Sequence, residues 1–494
     1  MKHKIFIKNA AILTATSLIL RTVGIFFRVW LSTSIGAEGM GLYQLVMSVY
    51  VFASTFATCG ICTAVTRLIS EERENPKGIL RRAILLSVLI SLVTFLPVFF
   101  LAQPIAVNIV CDIRSTLSIK VLCFSLPFMA ISSCLRGYFI GRRNTAAPSS
   151  AQLVEQAVRI VVIMLLVMKF SDLGLEYSTA AILIGDAIAE AVGMLVLYII
   201  YLVDKKKRPK HQYSNSTGFR KMLHIAAPIT LGRYIHTFLR TIENILVPLR
   251  LSIFVHDKSV SLEQYGMLKG MAMPILFFPA SFLTAFSTLM IPEISEALIK
   301  NKMLRVKTAV EKSIGITVII STAISGIFLL LGVPIANLLY SSKDTGVLIC
   351  ALSPLVPFMY LESVCDGILK GLDQQTHSFI YSVIDSVTRI ILIYFAVSRY
   401  GMVGFILIMV YSNLLTSILN IRRLLKVTKT PLKVGSWILK PLFSLSLGLA
   451  LGYFAMGNVT GDVMSIIAGG GVLVLTYVIS MFFMGELKII DGIF

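Results

Sequence analysis

The chain has 494 residues, of which 56% are hydrophobic and only 14% charged, with a mean hydropathy of +0.85. Soluble domains carry about 25% charged residues to keep their surface wet, so a soluble enzyme, a disordered scaffold and a secreted disulfide domain are set aside. The net charge of +20 would suggest nucleic acid in a soluble protein. Here most basic residues lie in short clusters between apolar runs, as in the loops of membrane proteins, and no nucleic-acid partner is expected.

A hydrocarbon core of about 30 Å needs about 20 mostly apolar helical residues to cross it. Fourteen such runs follow in order: 8–33, 41–69, 81–102, 117–141, 147–169, 178–203, 222–250, 266–295, 309–339, 347–370, 378–398, 402–421, 437–457 and 463–484. The expected fold is an all-α membrane protein with about 14 transmembrane helices. The first run contains Arg21 and Arg28 and has no small-residue cleavage site, so it is expected to stay as a span rather than be removed as a signal peptide. Cys59 and Cys62 form a CxxC, but no second pair or nearby histidine completes a metal site. His224 and His236 likewise lack a ligand cluster. No metal and no organic cofactor is expected.

Loop charges set the orientation. With the N-terminus inside, the inner segments hold 27 lysines and arginines and the outer segments six. That bias predicts both termini in the cytoplasm of a multi-pass cell-membrane protein. The longest polar linker, 204–219, includes KKKRPK and separates the first six spans from the next six. The expected organisation is an N-lobe at 1–203, the basic linker at 204–219, a C-lobe at 220–427 and a helix pair at 428–494. No loop is long enough for a soluble catalytic domain.

The two halves repeat. At an offset of 230 residues, Pro127-Phe128-Met129 falls on Pro357-Phe358-Met359, Gly137 on Gly367, Gly141 on Gly371, Glu155 on Asp385, and Arg159-Ile160 on Arg389-Ile390. Repeats separated by an even number of spans share an orientation. They are related by an axis along the membrane normal, with a central site between lobes, which is a transporter architecture.

The run Arg21-Thr-Val-Gly24-Ile-Phe-Phe-Arg28, followed by Ile35-Gly36-Ala37-Glu38-Gly39-Met40-Gly41-Leu42-Tyr43-Gln44, resembles the opening of the stage V sporulation protein B branch of polysaccharide flippases. That branch belongs to the multidrug/oligosaccharidyl-lipid/polysaccharide exporter (MOP) superfamily. The resemblance extends over the whole chain in its fourteen spans, two six-helix lobes and trailing pair. It implies flipping of polyprenyl-diphosphate-linked sugars by alternating access. The lipid II flippases are related but differ at two points. Here the second arginine follows the first by seven residues rather than six, and 45–64 holds no charge where those proteins carry arginine and acidic positions.

Arg21 and Arg28 are seven residues apart, about 20° short of two full helical turns, so both guanidiniums share a face. Arg233 and Arg240 repeat the spacing in the seventh span. An arginine at helix centre costs at least ~2.5–3.5 kcal/mol on insertion scales. Four of them at matched positions read as a substrate-binding face for a diphosphate, which guanidinium grips bidentately; Lys269 opens the eighth span and could join them. The competing reading is snorkelling to the headgroups. Glu155/Arg159 and Asp385/Arg389 are i,i+4 pairs and read as intrahelical structural ion pairs. Asp186 and Glu190 share a face of the sixth span and could answer Arg159 from there. Arg136 and Asp366 occupy equivalent repeat positions with opposite charge. Glu243, Glu362, Asp366 and Asp385 are candidate ion-coupling carboxylates, for Na+ or H+.

These features predict a transporter, not an enzyme, with no catalytic residues. It is expected to act as a monomer in the lipid bilayer and move an undecaprenyl-diphosphate-linked oligosaccharide or peptidoglycan precursor from the inner to the outer leaflet. The alternative is a multidrug/cation antiporter of the same superfamily. That reading wants a carboxylate in the cavity, and the first span offers only arginines. A membrane glycan polymerase or ligase would need catalytic groups on outer loops, which here are short and poor in charge.

Overall fold

A computed structural model describes residues 2–58, 60–71, 75–206 and 219–486. Every element among them is helical. Nine helices among the described residues are long and apolar enough to cross a membrane, from Ile12–Ser70 to Asp462–Phe483. Helices Ala146–Phe170 and Phe219–Val255 are long enough but fall outside that set. In the second, Arg233, Arg240, Glu243 and Arg250 break up the apolar run. The linker expected at 204–219 lies almost wholly outside the described residues, as does Cys59 of the CxxC.

Local chemistry explains the breaks. Helix Lys2–Thr58 is two helices joined at Gly36, whose backbone (φ 71°, ψ 176°) is non-helical. Only glycine occupies that region without strain. Gly401 does the same inside Ser398–Thr428 (φ 58°, ψ −139°). Helix Pro76–Phe100 starts where the Asn75 side chain accepts from the Lys77 N–H at 3.0 Å and Pro76 takes the first turn, satisfying donors that the helix leaves open. Short π-helical turns occur at Ile105–Val110 and Met267–Ala272, and one at Ile393–Val397 lies inside the span Gln375–Thr428.

The chain folds as two compact units. The first comprises Met1–Leu249 with Lys258–Glu263, and the second comprises Arg250–Asp257 with Gln264–Phe494. Most of helix Phe219–Val255 therefore packs with the first unit. Tyr234 stacks on Phe56 with ring centres 4.1 Å apart. Thr237 meets Thr55 at 3.4 Å, and the Thr241 hydroxyl donates to the Ser48 carbonyl at 3.4 Å.

Among the described residues, two apolar clusters lie in the first unit. One gathers Ile61, Val65, Leu68, Ile79, Leu80, Leu135, Tyr138, Phe139, Ala147, Ala151 and Leu197. The other gathers Leu31, Ile35, Met40, Ile163, Val167, Ala181 and Ile182. Along helix Ala146–Phe170 the first cluster ends at Ala151 and the second begins at Ile163. Along helix Leu175–Lys206 they meet the chain at Ile182 and Leu197. The stretch between them is mid-helix and carries the buried charges. In the second unit, Ile319, Tyr477 and Met481 pack together, and the Tyr477 hydroxyl donates to the Ile319 carbonyl at 3.0 Å.

Candidate functional site

Arg21, Arg28, Arg233 and Arg240 are all exposed and all belong to the first unit. Phe27, Trp30, Leu31 and Ile35 turn the first span onto its apolar cluster. At 100° per residue Arg21 and Arg28 project roughly a quarter turn from that stripe. Tyr234, Thr237 and Thr241 turn the other helix toward residues 48–56, and the same arithmetic sets Arg233 and Arg240 roughly a quarter turn from that contact. Each pair thus flanks its packing seam. Lys269 is half-buried, lies in the π-helical turn Met267–Ala272 and belongs to the second unit.

The second feature is a buried ionic network midway along the helices of the first unit. Glu155, 6% exposed, accepts from Arg136 at 2.7 Å and from Arg159 at 2.9 Å. Arg159 also pairs through Nε with Asp186 at 2.9 Å, reaches Glu190 at 3.5 Å and donates to Gln156 at 2.9 Å. Asp186 and Glu190 are 8% and 6% exposed. Three helices therefore contribute: Ser125–Gly141, Ala146–Phe170 and Leu175–Lys206. A side chain at Gly193 would place its Cβ 2.7 Å from Glu155 Oε2, so this glycine makes the room the carboxylate occupies. From helix Lys2–Thr58, Tyr43 comes within electrostatic reach of Asp186, Arg159 and Arg28, and Tyr50 within reach of Glu190. The network thus extends to one residue of the arginine face.

The repeat positions in the second unit carry a different set. Asp385 pairs with Arg389 and accepts from the Ser412 hydroxyl at 2.6 Å. Asp366 accepts from Ser378 and from Lys370, each at 2.5 Å. Glu362 lies against Thr416, with Asp385, Arg389 and Asp366 as charged neighbours. The structure thus groups Glu362, Asp366, Asp385 and Arg389. Glu243, 3% exposed, lies in the first unit. Among the described residues no group of three or more His, Cys, Asp or Glu side chains could hold a metal ion.

Sequence spacing brought out both i,i+4 pairs and the reach of Asp186 and Glu190 toward Arg159. It missed the Arg136–Glu155 bond, the two tyrosines, and the hydroxyls of Ser378 and Ser412. The repeat offset held one usable signal. Arg136 aligns with Asp366 just as Glu155 aligns with Asp385, so a cation in one half stands where the other half has an acid.

The backbone matches that of lipid II flippase MurJ in its inward closed conformation, with a TM-score of 0.73 over 97% of this chain and 100% of that one, at 17% identity. It also matches an inward-facing multidrug resistance MATE family transporter of the MOP superfamily, with a TM-score of 0.63 over 86% of this chain and 100% of that one, at 15% identity. Fold and apolar helices together define a multi-pass helical membrane protein with the fold of these two transporters. Within that class, residues 6–298 match the family described as polysaccharide biosynthesis protein, and the chain belongs to that family. Stage V sporulation protein B of Bacillus subtilis (strain 168) is 26% identical over 453 residues, covering 89% of this chain and 87% of that protein. Lipid II flippase MurJ of the same organism is 24% identical over 429 residues, covering 78% and 76%.

Proposed function

We propose that this protein is an alternating-access flippase. Its substrate is an undecaprenyl-diphosphate-linked oligosaccharide or peptidoglycan precursor, carried from the inner to the outer leaflet. The observation that carries the reading is the arginine face: two i,i+7 pairs on two helices of one compact unit, each exposed and flanking its packing seam. A guanidinium is the side chain best matched to a diphosphate, with fixed charge and a planar fork of donors. Kinship with a protein named lipid II flippase and membership of the polysaccharide biosynthesis family support a lipid-linked glycan as the cargo. In this reading the chain crosses the cell membrane fourteen times with both termini in the cytoplasm and works as a monomer. It has two six-helix lobes followed by a helix pair at 428–494. Na+ or H+ is the proposed coupling ion, acting at one of Glu243, Glu362, Asp366 and Asp385 and not at a shared three-carboxylate site.

The cation-antiporter alternative draws on the MATE likeness. It needs a carboxylate in the cavity to meet a cationic drug, whereas the first span offers only arginines and Glu155 and Asp186 are engaged by guanidiniums. Purified protein in proteoliposomes, scored for movement of a lipid-linked sugar, tests the proposal. Arg21→Ala and Arg233→Ala are expected to abolish movement while still inserting and folding, and Arg→Lys at either site to weaken it in part. Wild-type rates in both alanine variants, or transport of a cationic dye in place of the sugar, would overturn it.

A further inference from the structure

The buried network of the first unit has an unequal charge count. Two guanidiniums, Arg136 and Arg159, face three carboxylates, Glu155, Asp186 and Glu190. All three acids are more than nine-tenths buried, and they sit at mid-helix, between the two apolar clusters. An uncompensated charge in such a place is far costlier than a neutral group. The site must therefore recruit a positive charge or hold one acid in its neutral form.

Distances identify the acid. Glu155 is held by both guanidiniums, at 2.7 and 2.9 Å. Asp186 is held at 2.9 Å. Glu190 meets only Arg159 Nη2, the nitrogen that already donates to Glu155, at 3.5 Å, and is the carboxylate least compensated by its surroundings. The charged and titratable groups facing it are Arg159 and Glu155 from helix Ala146–Phe170, Arg136 from helix Ser125–Gly141, Asp186 one turn away on its own helix, and Tyr50 from helix Lys2–Thr58. Helix Ser115–Cys123 meets Glu190's own helix through the Ser118 hydroxyl, which donates to Thr179 at 3.1 Å.

We propose that Glu190 is a proton-binding residue of the first unit. It takes up and releases one proton, and its charge state is read by Arg159, Asp186 and, through Tyr43, by Arg28 of the arginine face. Neutral Glu190 leaves the network balanced, with Arg159 shared between Glu155 and Asp186. Ionised Glu190 competes for Arg159 and loosens its hold on Asp186, one turn away on the same helix and next to Tyr43. The inference rests on the transporter reading for its purpose, since a proton exchanged beside the arginine face would couple substrate charge to proton movement. The proton itself can be observed without any substrate.

The test is infrared difference spectroscopy of the full chain in lipid vesicles, between mildly acidic and mildly alkaline pH. The wild type is expected to show a protonated-carboxyl band on the acid side that shifts in heavy water. Glu190→Gln mimics the neutral form, so it should remove that component and release one proton fewer per chain on alkalinisation, with its thermal unfolding temperature unchanged or raised. Glu190→Asp keeps a carboxyl and should retain the component at a displaced midpoint, which decides the matter if the glutamine variant fails to fold. Asp186→Asn should leave the component in place. A band that survives Glu190→Gln, that does not move in Glu190→Asp, or that only Asp186→Asn removes would overturn the assignment. A silent spectrum sinks the proton site and leaves the flippase reading intact. Failed sugar transport in vesicles that still show the band does the reverse.

Discussion

Glu155 is shared by two guanidiniums, and its neighbours show how few side chains fix it. Two guanidiniums reach it from two helices, and the missing side chain of Gly193 leaves it space. Glu155→Gln keeps the shape but leaves Arg136 against a neutral acceptor. Breaking a buried pair from one side costs about 3–5 kcal/mol. A loss of that order in unfolding free energy is expected, well beyond the effect of Glu190→Gln, and denaturant titration of the two variants in detergent compares them. An i,i+4 pair standing alone would make Glu155→Ala/Arg159→Ala milder than Arg159→Ala, because no partner is stranded. The network predicts otherwise, since Asp186 and Glu190 lose Arg159 in either case. Equal or worse stability in the double variant is the expected result, and a clear rescue would show that the remaining acids do not depend on Arg159.

The elements meet at hinges set by single residues. Gly36 divides helix Lys2–Thr58 in a backbone region that side chains avoid, so Gly36→Ala should cost about 1–3 kcal/mol of strain or straighten the bend. Close by, Arg114 clamps Glu38 at 2.9 Å and Asp112 at 2.7 Å. Hydrogen bonding to Asp112 raises the guanidinium's pKa further, so its charge persists at any working pH. A third of that side chain is exposed, and exposed pairs contribute only about 0–1 kcal/mol. Arg114→Ala should therefore disturb folding far less than Gly36→Ala. Unfolding temperatures of the two variants, measured side by side, check the ranking. At Gly401 a Cβ would come 2.5 Å from the Phe254 ring, so Gly401→Ala meets both a clash and the same backbone penalty.

For the whole molecule, the distribution of basic residues, 27 against six, predicts that both termini and the 204–219 linker face the cytoplasm. Ser214→Cys in a variant without native cysteines should resist an impermeant thiol reagent in intact cells and react only after the membrane is opened. Labelling in intact cells would invert the orientation and, with it, the direction of transport.

The sequence by itself determined whatever depends on order along the chain. Composition shows which segments are long and apolar enough to cross a membrane. Helical periodicity puts Arg21 beside Arg28 and Glu155 beside Arg159, because 3.6 residues per turn is a local property. The 230-residue offset reveals the repeat because both halves keep the same local order. Only the tertiary structure decided which helices are neighbours. Periodicity gives a helix a face but not a partner, and nothing along the chain ties Arg136 to Glu155 or Tyr50 to Glu190. It also could not show that most of helix Phe219–Val255 packs with the unit before it, which brings Arg233 and Arg240 into the same unit as Arg21 and Arg28. That choice follows from ring stacking and side-chain fit between helices far apart in sequence, and such fit exists only once the chain has folded.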